Sequence, residues 1–220
     1  MLGKPYSKIR VEGGRIFAQA GASLAAVAAA ALAAELTGFE FASGIPGTVG
    51  GGCAMNAGAY GGALSDILVQ AEVLFPEGEI RSLSRDEMEM GYRTTLPLRK
   101  GGMILGAVFE LQPGHHDEIA AKMSELNARR RDKQPLELPS AGSVFKRPEG
   151  HFAGALIEQC GLKGCRIGGA QVSTKHAGFI VNADHASAKD VQALIRHIQD
   201  TVYAQTGVLL EPEQRIIGES

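Results

Sequence analysis

Apolar and polar residues alternate in two short runs near the start of the chain, KIRV and RIFAQAG, with Gly13 and Gly14 between them. A period of two around a glycine pair predicts two antiparallel strands joined by a tight turn. The rhythm then changes. An alanine-rich run follows Ser23, whose hydroxyl suits a helix N-cap, and Gly38 offers a stop. ILVQAEVLF and EIRSL read as strands on either side of Pro76, Glu77 and Gly78, where glycine supplies positive φ. SRDE at residues 84–87 has the form of a capping box and predicts a short helix ending near Gly91. MILGAVFEL reads as a buried strand, and a polar helix is expected from about residue 115 to 131.

Beyond a proline-bounded break, KQPLELPSAG, the pattern is strand SVFKRP, helix AGALIEQCG, strand GFIVN and a last helix. Ser187 and Asp190 open that helix in capping-box spacing, and Val191, Leu194, Ile195, Ile198 and Val202 form its core stripe. LLEPEQRIIG reads as a final strand, which puts Glu211 and Glu213 on one face. Short strands and helices interleave without a regular βαβ rhythm, so the fold class is α+β. The expected divisions are residues 1–114, a connecting helix and linker at 115–134, and a C-terminal domain at 135–220.

Composition removes several classes of function. The 220 residues are 45% hydrophobic and carry a net charge of −2, with 22 Lys+Arg against 24 Asp+Glu. There is no overall basic field to hold nucleic acid and no Trp for base stacking. The longest apolar run, residues 24–34, falls far short of the roughly 20 residues that span a bilayer. The N-terminus turns polar at once, unlike a signal peptide, so a cytoplasmic protein with neither membrane nor nucleic-acid partner is expected. Cys53, Cys160 and Cys165 form no CxxC and six His show no ligand spacing, which points to reduced core cysteines and no metal.

Five stretches are candidates for chemistry. GIPGTVGGGCAMNAGAYGG, residues 44–62, is nearly bare backbone, and a run of free N–H groups is a natural seat for phosphate oxygens. A tightly packed loop is the competing reading, and neither GxxxxGK[ST] nor GxGxxG leading into a helix is present. Arg93, in GYRTT, is either a solvated charge or a functional cation. Ser143, in SAGSVFKRP, is flanked by small residues; without a GxSxG elbow or a triad, it suits a proton donor better than an acyl-accepting nucleophile. Glu211 and Glu213 mark an exposed edge or a lined site, and His176 a hydrogen-bonded structural residue or a base.

Taken together these stretches resemble the UDP-N-acetylenolpyruvoylglucosamine reductase family, in its shorter subtype, from about residue 10 to 218. The carrying motifs are GFEFASGIPGTVGGGCAMNAGAYGG, GYRTT, SAGSVFKRPEG, GLKGCRIGGAQVS, KHAGFIVN and LEPEQRIIG, in the family's order. The resemblance implies part of a vanillyl-alcohol-oxidase-type FAD-binding domain followed by a small α+β substrate-binding domain. It implies FAD as cofactor, NADPH as co-substrate and UDP-N-acetylglucosamine enolpyruvate as substrate, in peptidoglycan precursor synthesis. Ile45, Pro46, Gly47, Thr48, Gly50, Gly51, Asn56 and Gly58 match the part that wraps the FAD diphosphate. Arg93 matches the catalytic arginine, Ser143 the proton donor and Glu213, not Glu211, the catalytic glutamate. Tyr92, Lys133, Lys146 and His176 fall where the family binds the UDP-sugar.

The chain departs from the family at two places. Arg147 stands where Asn is more common. The family's first FAD-binding lobe, with its GGxA and GxGSN stretches, has no counterpart after Met1, so a shortened chain with weakened grip on FAD is expected. Two other readings are a non-catalytic fragment that binds a UDP-sugar and another FAD-linked sugar or alcohol oxidoreductase. Oxidation would need a base beside the substrate carbon, which the trio of Ser143, Glu213 and Arg93 does not offer.

Overall fold

Alternation at the start of the chain becomes a hairpin. Strands β1 (Ile9–Glu12) and β2 (Arg15–Gln19) pair antiparallel across Gly13, which takes φ 56°. Helix α1 (Leu24–Ala33) follows, with the Ser23 hydroxyl accepting from the Ala26 N–H at 3.1 Å. Its buried residues, Leu24, Val27, Ala28 and Ala31, recur at helical spacing. The helix does not run to Gly38. Glu35 takes the left-handed turn at φ 54°, and strand β3 (Leu36–Thr37) is already extended against residues 112 and 113. Gly38 serves the next turn instead, donating its N–H to the Glu40 carboxylate at 2.8 Å.

Helix α2 (Val49–Ala54) lies inside the glycine stretch, followed by strands β4 (Gly58–Ala59) and β5 (Gly62–Ala63). Next come β6 (Leu68–Leu74), β7 (Ile80–Ser84), the short helix α3 (Leu96–Arg99), β8 (Met103–Glu110), β9 (Gln112–Pro113) and α4 (His116–Lys133). The helix expected after Ser84 is absent. The Ser84–Glu87 box forms its hydrogen bonds, but Glu89 turns left-handed at φ 44° and closes a turn where a helix would have grown. Five strands form one antiparallel sheet in the order β1-β2-β8-β6-β7. Ile16, Ala18, Ala71, Val73, Ile104 and Phe109 belong to the core on one side of it. Phe17, Gln70, Ser82 and Val108 help line a cavity of about 700 Å³.

The second half begins with β10 (Ser140–Ser143), three residues earlier than the expected SVFKRP strand. It continues through α5 (Ala153–Gln159), β11 (Arg166–Ile167), β12 (Ala170–Val172), β13 (Phe179–Asn182) and α6 (Ala188–Thr206). The sheet order is β10-β13-β12-β11, and α5 and α6 supply the core with Leu156, Ile157, Leu194, Ile198 and Val202. LLEPEQRIIG forms no strand. A single bridge forms there, Pro212 to Phe145, held by the Glu213 N–H on the Val144 carbonyl and the Lys146 N–H on the Glu211 carbonyl. The Val144 N–H that would carry the pairing further is spent on the Gly178 carbonyl at 2.9 Å.

The computed structural model describes residues 4–218, which divide between Arg129 and Arg130 into two units with separate cores. The division falls inside α4. None of the described helices is long and apolar enough to cross a membrane.

The start of α6 carries a pH dependence. Asp190 accepts from the Ser187 N–H at 2.9 Å, and the Ser187 hydroxyl accepts from the Asp190 N–H at 3.2 Å. The Ser187 N–H foremost, and the Ser187 side chain after it, hold the Asp190 carboxyl below its usual value. A depressed carboxyl stabilises the fold above its unfolded pKa and loses that contribution as pH falls through the folded value. The urea midpoint of the second unit is therefore expected to drop as pH falls below about 4, and to drop less in Asp190→Asn.

Candidate active site

The glycine stretch has two physically different parts. Its latter part is packed. The N–H groups of Val49 and Gly50 donate to the carbonyls of Ala22 and Ala20 at 2.8 and 2.9 Å. A Cβ on Gly50 would stand 2.9 Å from the Ala20 methyl, and one on Gly52 3.1 Å from Leu64. A Cβ on Gly58 would stand 2.7 Å from the Gly62 carbonyl oxygen. Glycine at Gly50 and Gly58 is thus required by close approach within the chain itself. The expectation that these residues offer free N–H groups to a phosphate is corrected for Gly50.

The leading part is open. Ile45 and Thr48 are half-buried and Pro46 and Gly47 exposed, and the N–H groups of Gly47 and Thr48 have no acceptor among the described residues. Gly51 is exposed, its N–H held only by the Thr48 hydroxyl at 3.5 Å. Just ahead of this strip, the buried Ser43 hydroxyl has no hydrogen-bond partner among the described residues. Unspent donors on an exposed backbone edge suit a diphosphate, so Gly47 and Thr48 fit such a group. The expectation is corrected for Ile45, whose N–H is spent on the Ala42 carbonyl at 3.1 Å, and for Pro46, which has no N–H. Asn56 differs. Its carboxamide is engaged on both sides, donating to the Gly91 carbonyl at 3.2 Å and accepting from the Ser65 N–H at 3.0 Å.

Arg93 lies in a four-residue turn closed by the Gly91 N–H donating to the Thr94 carbonyl at 2.9 Å. Its φ is 57°, a left-handed conformation that costs an ordinary side chain roughly 1–2 kcal/mol. Its guanidinium carbon is 5.1 Å from the centre of the exposed Tyr92 ring. The fully buried Thr95 hydroxyl donates to the Ala54 carbonyl at 2.9 Å and ties the segment to the end of α2. Neither Thr95 nor the Asn56–Gly91 bond was visible in the sequence as part of a site.

In the second unit, two motifs about 70 residues apart meet. Within β10 one extra residue separates the pairs Ser140↔Val181 and Ser143↔Phe179, a bulge at which Gly142 takes φ 82°. Ser143 follows it on the exposed side, its hydroxyl only 3.4 Å from the Phe145 carbonyl. Alongside runs the C-terminal segment. The Glu213 N–H donates to the Val144 carbonyl at 2.8 Å, the Lys146 N–H to the Glu211 carbonyl at 2.8 Å, and the Gln214 amide to the Gly142 carbonyl at 3.3 Å. The two glutamates separate in role: exposed Glu211 pairs with the Lys146 ammonium, and Glu213 is half-buried.

His176 is half-buried, its ring edge-on to Phe179 with centroids 5.0 Å apart. A Cβ on Gly178 would stand 3.0 Å from that ring, and one on Gly154 3.2 Å. The Gly178 N–H donates to Nδ1 at 3.1 Å, which leaves the proton of the neutral ring on Nε2. Burial, the largest influence, lowers the His176 pKa. Lys133, the exposed last residue of α4, is one of the cations that lower it further. Arg147 stacks over the Phe152 ring at 4.0 Å. Cys53 is fully buried in α2, its thiol pushed up to about 12. Among the described residues no group of His, Cys, Asp and Glu is arranged to hold a metal ion.

Comparison with known sequences adds identity to this geometry. The FAD binding domain pattern matches residues 4–84, and the pattern of the UDP-N-acetylenolpyruvoylglucosamine reductase C-terminal domain matches residues 134–217. An FAD-binding unit followed by a small α+β unit defines a flavin-dependent oxidoreductase. UDP-N-acetylenolpyruvoylglucosamine reductase of Limosilactobacillus reuteri is 54% identical over 96% of this chain and 71% of its own length. The enzyme of the same name from Levilactobacillus brevis is 56% identical over 100% of this chain and 72% of its own. The crystal structure of the Thermus caldophilus reductase superposes with a TM-score of 0.83 at 35% identity, covering 96% of this chain and 74% of that one. The chain belongs to the UDP-N-acetylenolpyruvoylglucosamine reductase family, whose cofactor is FAD and whose reductant is NADPH.

Proposed function

We propose that this chain reduces UDP-N-acetylglucosamine enolpyruvate to UDP-N-acetylmuramate in peptidoglycan precursor synthesis, with NADPH as the source of reducing equivalents. The observation that carries the reading is the pairing of the Ser143 bulge with the Glu213 segment, since two motifs distant in sequence converge on one exposed strip. Bound FAD would supply the hydride chemistry that links NADPH to the enol ether carbon C3. The free N–H groups of Gly47 and Thr48 would hold its diphosphate, with Gly51 beside them.

Hydride arrival at C3 leaves negative charge on the carboxylate side of the substrate. Arg93 holds that charge through its planar guanidinium, which can bond through two N–H groups at once. Ser143 delivers a proton to C2; a hydroxyl is a weak acid, but an enolate-like carbon is a strong base. Its one long internal contact leaves that hydroxyl little to give up before it turns to substrate. Glu213, half-buried beside it, orients the hydroxyl or the charge. Tyr92, Lys133, Lys146 and His176 bind the UDP-sugar, His176 through its Nε2–H.

The test is a two-step titration under anaerobic conditions. NADPH should bleach the flavin band near roughly 450 nm, and the enol ether should then restore it with formation of the saturated lactyl ether. Bleaching that this enol ether cannot reverse, while another acceptor can, would refute the substrate assignment.

A further inference from the structure

The end of α2 and the Arg93 turn form one mechanical unit. Asn56 lies two residues past the end of that helix, after the Met55 cap, and is itself left-handed, at φ 43°, a conformation that Asn tolerates better than most residues. From there its carboxamide spans two segments far apart in sequence, giving Nδ2–H to the Gly91 carbonyl and receiving the Ser65 N–H on Oδ1. Gly91 is the first residue of the turn that carries Arg93, whose own backbone is strained. Strained backbone persists only where its surroundings over-determine it. Two ties meet that need here, one at each end: Asn56 to Gly91, and the buried Thr95 hydroxyl to Ala54.

We infer that Asn56 is a positioning residue for Arg93, holding the Arg93 turn against the end of α2 through the Gly91 carbonyl. This rests on the reading of Arg93 as the group that receives the developing negative charge. Asn56 need not touch substrate or flavin to act. A side chain that accepts and donates at once is required, since the Ser65 N–H needs an acceptor and the Gly91 carbonyl a donor. Asp supplies only the first when ionised, and Gly supplies neither while easing the left-handed backbone.

The experiment compares wild type with Asn56→Gly, Asn56→Asp and Arg93→Ala. Amide hydrogen exchange is read at Gly91, whose N–H closes the turn, and the two half-reactions are followed separately. Asn56→Gly is expected to speed Gly91 exchange at least tenfold. It should lower kcat for the enol ether step by about 10- to 100-fold, with KM within about threefold and a clearly smaller loss in flavin reduction by NADPH. Asn56→Asp should behave likewise at high pH and recover as pH falls, because the protonated carboxyl regains a donor for the Gly91 carbonyl. A merely structural role would not produce that recovery.

Unchanged Gly91 exchange in Asn56→Gly overturns the inference, as does equal loss in both half-reactions, which would make Asn56 a flavin contact. If Arg93→Ala leaves the enol ether step intact, the reading of Arg93 falls and the inference with it. If Arg93→Ala cripples that step while Asn56→Gly is silent, only the inference falls.

Discussion

Gly169→Ala should strongly destabilise the second unit. A Cβ at that position would lie 1.9 Å from the Asp184 carbonyl oxygen and 2.5 Å from the Ala186 N, both backbone atoms that cannot swing away. The Gly169 carbonyl also accepts from the N–H groups of Ala183 and Asp184 at 3.0 and 3.1 Å, so the loop before α6 is fastened to this residue from both sides. Relief would require breaking those bonds and the contact of its N–H with Asp190 at 3.4 Å. The expected loss is on the order of 4 kcal/mol or more, the range reserved for a change that forces backbone apart. Gly161→Ala is the control, because φ there is 71° with nothing within 4 Å of the added methyl. It should cost about 1–2 kcal/mol of backbone strain. Denaturant melts of the two variants, followed by circular dichroism, would separate them; equal midpoints would disprove the packing argument.

Ser143→Ala should slow the enol ether half-reaction by about 100- to 10,000-fold, the usual range for removing a general acid. Flavin reduction by NADPH should be nearly untouched, since that step needs no proton from this hydroxyl. Structure should be spared as well: Ser143 is exposed and its hydroxyl makes one long contact, while its backbone pairing with Phe179 is independent of the side chain. Stopped-flow absorbance of each half-reaction decides the matter. Equal loss in both would argue against proton donation and for a contact with the flavin.

The parts of the fold that could be read from the chain are those governed by local patterning. The hairpin at Gly13, the Ser23 cap, the Gly78 turn and the core stripe of α6 all depend on residues within a few positions of one another. The misread elements depend on distant partners. The SRDE box was correctly seen as a cap, but whether a helix follows is decided by the Gly91 turn and its hold on α2. The C-terminal strand failed because alternation alone does not show that the Val144 N–H, needed to continue the pairing, is already given to the Gly178 carbonyl.

The candidate site was legible in a different way, through motif content, and geometry redistributed its roles. Among the glycines read as phosphate-facing, Gly50 and Gly58 turn out to be demanded by neighbouring chain, a distinction composition cannot make. Ser143 and Glu213 stood out singly, but their side-by-side course needed the fold. A hint of Asn56's part was present, as the one amide in a ribbon almost without polar side chains.

Helix α2 is only six residues long, about 9 Å from end to end, yet it is gripped along its length. Val49 and Cys53 are fully buried, and Gly52 fits between Leu24 and Leu64. Such a peg behaves as a stiff spacer. Whatever docks ahead of its first turn is set at a fixed separation from the cation beyond its last, and a methyl added at Gly52 would shift both together. Fine adjustment of either end must therefore come from the loops that adjoin the peg, because the peg itself has no slack to yield.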